Sequence, residues 1–131
     1  ASVLSEPTKP APDATVVQWL RDNERELAVD PIILGEIRFG ILLLARGKRR
    51  RALERWFAQG VAGIRCLPLE ARTGLRWAEL VADLRRRGKA MAVKDSLIAS
   101  TALVHELTLA TRNVRDFAHS GVSVLDPFAA R

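Results

Sequence analysis

Short apolar runs alternate with longer segments of helical periodicity along this chain, and that alternation limits the folds open to it. The runs that predict strands lie at residues 27–29, 64–69, 107–111 and 122–127. The segments with helical spacing lie at residues 13–24, 31–46, 48–60, 70–87 and 95–106. Strands joined by helices pair in parallel through right-handed crossovers, and internal strands of such sheets are apolar throughout. We therefore predict an α/β sandwich with a parallel sheet.

Residues with known end preferences mark the limits of the predicted helices. Asp13 is an N-cap for the first helix, and Pro31 suits the first turn of the second. Gly47 ends the second helix, and Gly88 ends the fourth. The predicted apolar stripe of the fourth helix consists of Leu75, Ala78, Leu80 and Leu84. The SVL stretch at residues 2–4 is β-like and precedes a Pro-rich turn.

Length and cysteine usage bound the class of protein. A chain of 131 residues suits one domain with one modest core. Its single cysteine, Cys66, excludes an internal disulfide and lies in the apolar run IRCLPL, so we predict a buried free thiol. That usage fits a reducing, cytoplasmic setting. The sequence contains no signal-peptide pattern and no apolar run long enough to span a bilayer.

The basic charge of the chain favours an anionic partner. A net charge of +6 and an isoelectric point of about 10.7 suit nucleic acid, anionic lipid or an acidic protein. The charge is concentrated in RGKRRR at residues 46–51 and RRRGK at residues 85–89. Each cluster is either a phosphate-binding surface or a solvated helix end that the helix dipole favours. The few aromatic residues do not alternate with the basic ones, which argues against a single-strand stacking platform.

Polar residues at one edge of the predicted sheet form a candidate metal site. Ligands of open α/β sheets bind beyond the carboxyl ends of the strands. The residues expected there are Glu36, Asp95, Asn113 and Asp116. Carboxylates grouped without histidine or cysteine suggest Mg²⁺ or Mn²⁺. No Ser-His-Asp or Cys-His pattern is visible. Basic surface together with an oxygen-ligand cation indicates phosphodiester chemistry.

Each of these residues also has a purely structural interpretation. Asp95 suits the N-cap of the last helix, facing the positive end of its dipole. Glu36 suits a solvent-facing position, paired with Arg38 or Arg46. Asn113 suits a turn and Asp116 a short helix cap. Two helical glycines beside Glu36, at positions 35 and 40, favour the functional interpretation, because glycine there costs about 1 kcal/mol and lets a partner approach the backbone.

Four sequence blocks carry a family resemblance. They are VLSEP near the start, LGEIRFGI, VKDSLIASTALVHELTLATRNVRDF and the closing VSVLDPF. In this order they resemble a PIN-domain ribonuclease of the VapC toxin group, including its FitB-like relatives. The resemblance implies a three-layer sandwich whose parallel sheet of about five strands is flanked by helices. It covers nearly the whole chain, so residues 1–131 are expected to form a single PIN-like domain.

The resemblance also implies a site of four acidic residues around Mg²⁺ or Mn²⁺. Glu36 matches the second member and Asp95 the third, while the fourth is either Asn113 or Asp116. The supporting polar residues of the family match Ser2 and Thr111. The first member is an aspartate that ends a central strand immediately before this sequence. We therefore expect the natural chain to carry a few further N-terminal residues, ending in aspartate.

By the same resemblance the chain is the toxin of a type II toxin–antitoxin system, a Mg-dependent endoribonuclease that cleaves tRNA or another structured RNA. Its expected partners are a second copy in a homodimer and a VapB-like antitoxin, which alone brings the complex to promoter DNA. The expected RNA-backbone contacts are Arg112, Arg46, Lys48 and Arg49. The expected antitoxin groove is formed by residues 41–44, Trp56 and Phe57. Two alternatives remain open: a non-catalytic partner in a DNA-binding complex, and a PIN nuclease of RNA maturation.

Overall fold

The computed structural model describes residues 2–129, apart from the side chain of Ser2. The α-helices in this range are α1 Ser2–Ser5, α2 Ala14–Asp22, α3 Pro31–Leu42, α4 Lys48–Gln59, α5 Ala71–Arg86 and α6 Val93–Val104. The strands in this range are β1 Ala28–Val29, β2 Arg65–Cys66, β3 Leu109–Ala110 and β4 Val124–Leu125. Short 3-10 turns lie at Glu6–Thr8, Glu24–Glu26, Val61–Gly63 and Val114–Phe117. The predicted alternation of strands and helices is confirmed.

The helix limits follow mainly from the predicted capping residues. The Asp13 carboxylate accepts a hydrogen bond of 2.9 Å from the Thr15 amide at the start of α2. Gly88 takes a left-handed φ of 66° just after Arg87, the C-cap of α5, and glycine carries no steric penalty there. The prediction that α3 continues to Gly47 is wrong. That helix ends at Leu42, because the Leu44 amide bonds to the Ile41 carbonyl at 3.1 Å in a tighter turn.

The β-like prediction for residues 2–4 is also wrong, since this stretch forms the short helix α1. Val3 is 5% exposed, so its side chain is buried in the helical conformation. The β preference of a single valine is small, and tertiary packing of the side chain overrides it. The helix continues into the 3-10 turn, where the Thr8 hydroxyl donates to the Ser5 carbonyl at 2.6 Å.

The described strands form two separate parallel pairs instead of one sheet of about five strands. In the first pair Ala28 lies opposite Arg65, and in the second Leu109 lies opposite Val124. A groove of about 520 Å³ separates the pairs, and residues of both β1 and β3 line it. Within residues 2–129 the two inner strands therefore face each other across this groove without pairing.

The helices bury two apolar clusters around these strands. Helix α5 packs on α6, and α3 packs on both α4 and α6. The larger cluster contains Leu80, Leu84, Ile98, Ala99, Ala102, Phe117 and Val122. The smaller contains Ile37, Ile41 and Val61. The fold thus holds α3 and α6 against each other, and these are the two helices that carry Glu36 and Asp95.

Two expectations about burial are wrong. Leu75 is 69% exposed and Ala78 is exposed, although Leu80 and Leu84 are buried as predicted. Position 75 points about 140° away from position 80 around a helix of 3.6 residues per turn, so it cannot share that face. Cys66 is exposed. The alternation of a strand gives the buried position to Leu67 instead, which is 5% exposed.

Within residues 2–129, none of the helices combines the length and apolar character needed to cross a membrane.

Candidate functional site

Three carboxylates from separate parts of the chain meet near the start of α6. Glu36 lies on α3, which begins directly after β1, and Asp95 lies in the first turn of α6. Asp116 lies in the 3-10 turn that follows β3. Burial raises the pKa of the Asp95 carboxyl, and the negative charges of Asp116 and Glu36 raise this pKa further. Glu36 and Asp116 therefore each lie close enough to Asp95 to disfavour its charge.

Asp95 is not the N-cap of its helix. The N-cap is Ala92, whose extended backbone carries no capping side chain, and Asp95 is the third residue of α6. The helix dipole favours a carboxylate in this first turn, while partial burial disfavours its charged form. Because burial is the first cause of the raised pKa, Asp95 occupies a position that an ordinary surface cap would not need.

Glu36 forms an ion pair across the two helices. Its Oε2 lies 3.4 Å from Nζ of Lys94, and its side chain is 28% exposed. The expected pairing with Arg38 or Arg46 is wrong for Arg38, which instead contacts Oε1 of Glu54 at 3.2 Å. The Lys94 ammonium also lowers the pKa of the neighbouring Asp95. A single lysine thus offsets part of the negative charge that the three carboxylates bring together.

The chemistry of these side chains fits a hard divalent cation, although the observed arrangement is not a formed metal centre. Among the residues that the structure describes, no group of three or more His, Cys, Asp or Glu is placed so that it could hold a metal ion. Glu36, Asp95 and Asp116 all present oxygen donors, which Mg²⁺ and Mn²⁺ prefer. Their mutual repulsion at Asp95 is what a bound cation would relieve. The Lys94 ammonium engages one of these donors, Glu36.

The loop after β3 contains the remaining predicted site residues. The Asn113 amide donates to the Thr111 hydroxyl at 3.1 Å, so this hydroxyl shapes the turn. Asn113 itself is exposed and begins the 3-10 turn without a side-chain cap. Of the two candidates for the fourth member, Asp116 is the one whose charge acts on Asp95. The predicted supporting role of Ser2 concerns a side chain that lies outside the described part of the structure.

An open cavity of about 290 Å³ adjoins Glu36. Its lining includes Glu36, Ile37, Gly40, Ile41, Leu44, Leu53 and Trp56. Three of the residues predicted for an antitoxin groove therefore line it, at positions 41, 44 and 56. Leu42 and Leu43 face solvent at 46% and 70% exposure, and Phe57 packs against the smaller core cluster. Ile37, Gly40 and Ile41 share the face of α3 that borders the cavity, whereas Leu42, at the end of the same helix, does not line it.

The predicted basic contacts are exposed side chains from two parts of the chain. Arg46, Lys48 and Arg49 are exposed, and Arg49 lines the cavity beside Glu36 while its guanidinium donates to the Thr8 carbonyl at 3.2 Å. Arg112 is exposed, and its guanidinium lies 4.2 Å above the centre of the Phe128 ring. The second basic cluster is partly neutralised, since Arg87 pairs with Asp83 at 2.8 Å.

Asp30 supports the site in a way that the sequence did not reveal. It is 2% exposed, accepts from the Ile33 amide at 2.9 Å and accepts from the Thr101 hydroxyl at 2.8 Å. These bonds join the start of α3 to the middle of α6. An aspartate immediately before a helix that starts with proline is a recognisable N-cap signal. The bond to Thr101 spans 71 positions of sequence and had no such signal.

Known proteins are similar to this chain in sequence and in fold. The family model "PIN domain" matches residues 1–121. The chain is 33% identical to Toxin FitB of Neisseria gonorrhoeae over 131 residues, covering 97% of this chain and 94% of that protein. It is also 33% identical to VapC ribonuclease Y4jK of Sinorhizobium fredii over 132 residues, with the same coverage of 97% and 94%.

Solved structures agree with this assignment. The crystal structure of FitAcB from Neisseria gonorrhoeae matches with a TM-score of 0.89 and 34% identity, covering 98% of this chain and 95% of that chain. The structure of FitAB bound to an IR36 DNA fragment also gives a TM-score of 0.89, at 32% identity and with coverage of 99% and 94%. The α/β fold and the family resemblance read from the sequence are confirmed: the chain belongs to the PIN domain family.

Proposed function

We propose that this chain is the toxin of a type II toxin–antitoxin system and cleaves RNA as a divalent-cation-dependent endoribonuclease. The observation that carries the proposal is the convergence of Glu36, Asp95 and Asp116, which raises the pKa of Asp95. The names of the relatives support it, because one is a toxin and another a ribonuclease. The basic surface supports an RNA substrate. We propose tRNA or another structured RNA as the target.

The proposed mechanism assigns a task to each side chain of the site. Asp95 and Asp116, together with Glu36, would hold Mg²⁺ or Mn²⁺. When bound, the cation supplies Lewis acidity that acidifies a water molecule and offsets the charge that builds on the phosphate. Glu36 orients the attacking water after it separates from Lys94. Arg112, Arg46, Lys48 and Arg49 hold the RNA backbone, and such contacts position a substrate without reading its sequence.

A non-catalytic role in a DNA-binding complex is the second candidate. Asn113, which stands where the family resemblance places an acidic residue, favours it. The repulsion between Asp95 and its two acidic neighbours opposes it, because a binding module gains nothing from three carboxylates held together. Cleavage activity separates the two candidates directly.

The direct test of the proposed function is RNA cleavage by the purified protein with a cation present and absent. We expect a tRNA transcript to be cut in Mg²⁺ or Mn²⁺ and to remain intact in excess EDTA. Gel electrophoresis of end-labelled RNA measures the result. Protein carrying Asp95→Asn, purified in the same way, controls for contaminating nuclease. Equal cleavage in EDTA, or intact RNA in both cations, would contradict the proposal.

We further propose that a VapB-like antitoxin inhibits the protein by placing its C-terminal segment in the cavity beside Glu36. The cavity has an apolar wall of Ile37, Leu44 and Trp56, and Glu36 stands at its edge. A segment with apolar side chains and one cation would complement both features. In this proposal the toxin forms a homodimer, and the complex reaches promoter DNA through the antitoxin alone.

Filling the cavity tests this partner. Gly40 lines the cavity, and a Cβ added there meets no heavy atom within 4 Å, so Gly40→Trp is expected to add bulk at the cavity wall. We expect antitoxin binding, measured by calorimetry, to weaken about tenfold or more. Gly35→Trp is the matched control, since this glycine is equally unobstructed on the same helix but does not line the cavity. Equal affinity of the two variants would contradict the proposed binding site.

A further inference from the structure

The Arg112 guanidinium lies over an aromatic ring, in the segment that also carries Asp116. Its central carbon lies 4.2 Å from the centre of the Phe128 ring, within the range of a cation–π contact. Arg112 immediately precedes Asn113 and lies four residues before Asp116. The stacked arginine is therefore part of the loop that brings Asp116 to Asp95.

Parallel pairing of β3 with β4 explains why these two side chains meet. The strands run in register, with Ala110 opposite Leu125, and the Thr111 amide extends the ladder by donating to the Leu125 carbonyl at 2.9 Å. Residues that follow the two strands consequently emerge at the same edge. Arg112 follows β3 and Phe128 follows β4. The closing VSVLDPF block thus meets the TRN segment in space.

Phe128 is held in place by its own turn. Its amide donates to Oδ1 of Asp126 at 2.9 Å, which forms a local side-chain turn. Pro127, between them, has a fully buried side chain. Phe128 is partly exposed, so one face of its ring is available for stacking. The ring is a fixed support under a long side chain that would otherwise sample many rotamers.

Stacking leaves the donors of Arg112 available. A guanidinium stacks through its planar face, while its five N–H donors point outward in the plane. Within residues 2–129, no hydrogen bond or ion pair occupies these donors. We propose that Phe128 is a positioning residue that holds Arg112 as a preorganised contact for an RNA phosphate beside the carboxylates. This inference rests on the proposed function, since it concerns the binding of that substrate.

The experiment measures RNA affinity without cleavage. Fluorescence anisotropy of a labelled tRNA transcript in EDTA gives the Kd for the parent protein and for Arg112→Gln, Phe128→Leu, Phe128→Tyr and the Arg112→Gln/Phe128→Leu double variant. We expect Phe128→Leu to weaken binding about two- to fivefold, and Phe128→Tyr to restore it because tyrosine keeps the aromatic face. Arg112→Gln should weaken RNA binding. It should also lower the slope of the logarithm of the binding constant against the logarithm of salt concentration, by the equivalent of about one phosphate contact. The double variant should match Arg112→Gln alone.

The outcomes separate this inference from the proposed function. Parent-level binding by Phe128→Leu, with weakened binding by Arg112→Gln, would overturn the role of Phe128 and leave RNA binding standing. Additive losses in the double variant would also overturn it, because the ring would then act independently of Arg112. Absence of RNA binding by the parent protein would overturn the inference, while cleavage of the same RNA in Mg²⁺ separately decides the proposed function. Unfolding temperatures show whether Phe128→Leu keeps the fold. If Phe128→Leu does not, the RNA affinity of Phe128→Tyr tests the role of the ring instead.

Discussion

Asp95→Asn is expected to lower the rate of RNA cleavage by about two to four orders of magnitude while the protein stays folded. The substitution removes the charge that would hold the cation and keeps the size of the side chain. Asp95 is the member of the site on which the charges of both other carboxylates act. Cleavage of labelled RNA in Mg²⁺ under single-turnover conditions measures the effect.

The same variant should be as stable as the parent protein at neutral pH, or more stable. The pKa of Asp95 in the fold lies above its ordinary value of about 3.8, because burial and two negative neighbours disfavour the charged form. The folded protein therefore holds this proton more tightly than the unfolded chain does. The protonated Asp95 carboxyl thus contributes to the free energy of unfolding of the parent protein. This contribution is complete below about pH 3.8 and is lost as pH rises through the raised pKa of Asp95. Thermal unfolding at several pH values measures this effect.

Asp22→Asn is a suitable control, because Asp22 is an exposed aspartate at the end of α2, remote in sequence from the three site carboxylates. Its cleavage rate should equal that of the parent protein. Cleavage by Asp95→Asn at the parent rate would remove Asp95 from the mechanism. A large loss of stability in Asp95→Asn would instead show that the carboxylate serves the fold.

Asp30→Ala is expected to lower the free energy of unfolding by about 2–3 kcal/mol. The change removes the N-cap of α3 and leaves the Ile33 amide without its side-chain acceptor. It also removes the acceptor of the Thr101 hydroxyl in a buried position. The Thr101 hydroxyl retains a longer hydrogen bond of 3.3 Å to the Leu97 carbonyl. The expected loss of stability is therefore at the lower end of what two broken hydrogen bonds would cost. Urea titration followed by tryptophan fluorescence measures the change.

Asp30→Asn separates the loss of hydrogen bonds from the loss of charge. The amide oxygen of asparagine can still accept from Ile33, and the Thr101 hydroxyl can turn to accept from the amide nitrogen. We expect this variant to lose less than about 1 kcal/mol. A loss in Asp30→Ala that is equally small would show that the buried carboxylate does not join α3 to α6.

Local signals predicted most helix limits, and the errors have two causes, which are local periodicity and tertiary packing. The capping roles of Asp13 and Gly88 depend on neighbouring backbone, so they could be read from the sequence. The apolar character of Leu75 and Cys66 predicts burial, yet helical phase and strand alternation direct both side chains outward. The conformation of residues 2–4 depends on packing around Val3, which no local pattern contains.

The prediction of the candidate site rests on a different kind of signal. The sequence predicts Glu36, Asp95, Asn113 and Asp116 as polar residues at the ends of apolar segments, and in the structure the charges of Glu36 and Asp116 act on Asp95. Their contacts were not predictable. The Lys94–Glu36 pair and the Asp30–Thr101 bond both join residues far apart in sequence, and each depends on how α3 lies against α6. The sequence therefore predicts which residues are candidates for the site, but it does not predict the residues that contact them.

The groove between the two strand pairs also affects how this protein behaves in concentrated solution. An open strand edge offers unpaired amide and carbonyl groups to other molecules and promotes aggregation. Here the free edges of β1 and β3 border one groove, whose walls include Trp19 and Leu20. A second molecule would have to enter that groove to extend either ladder, and each strand offers it only two residues. Within residues 2–129, pairing with these edges is therefore limited to an extended segment that enters the groove and lies between β1 and β3.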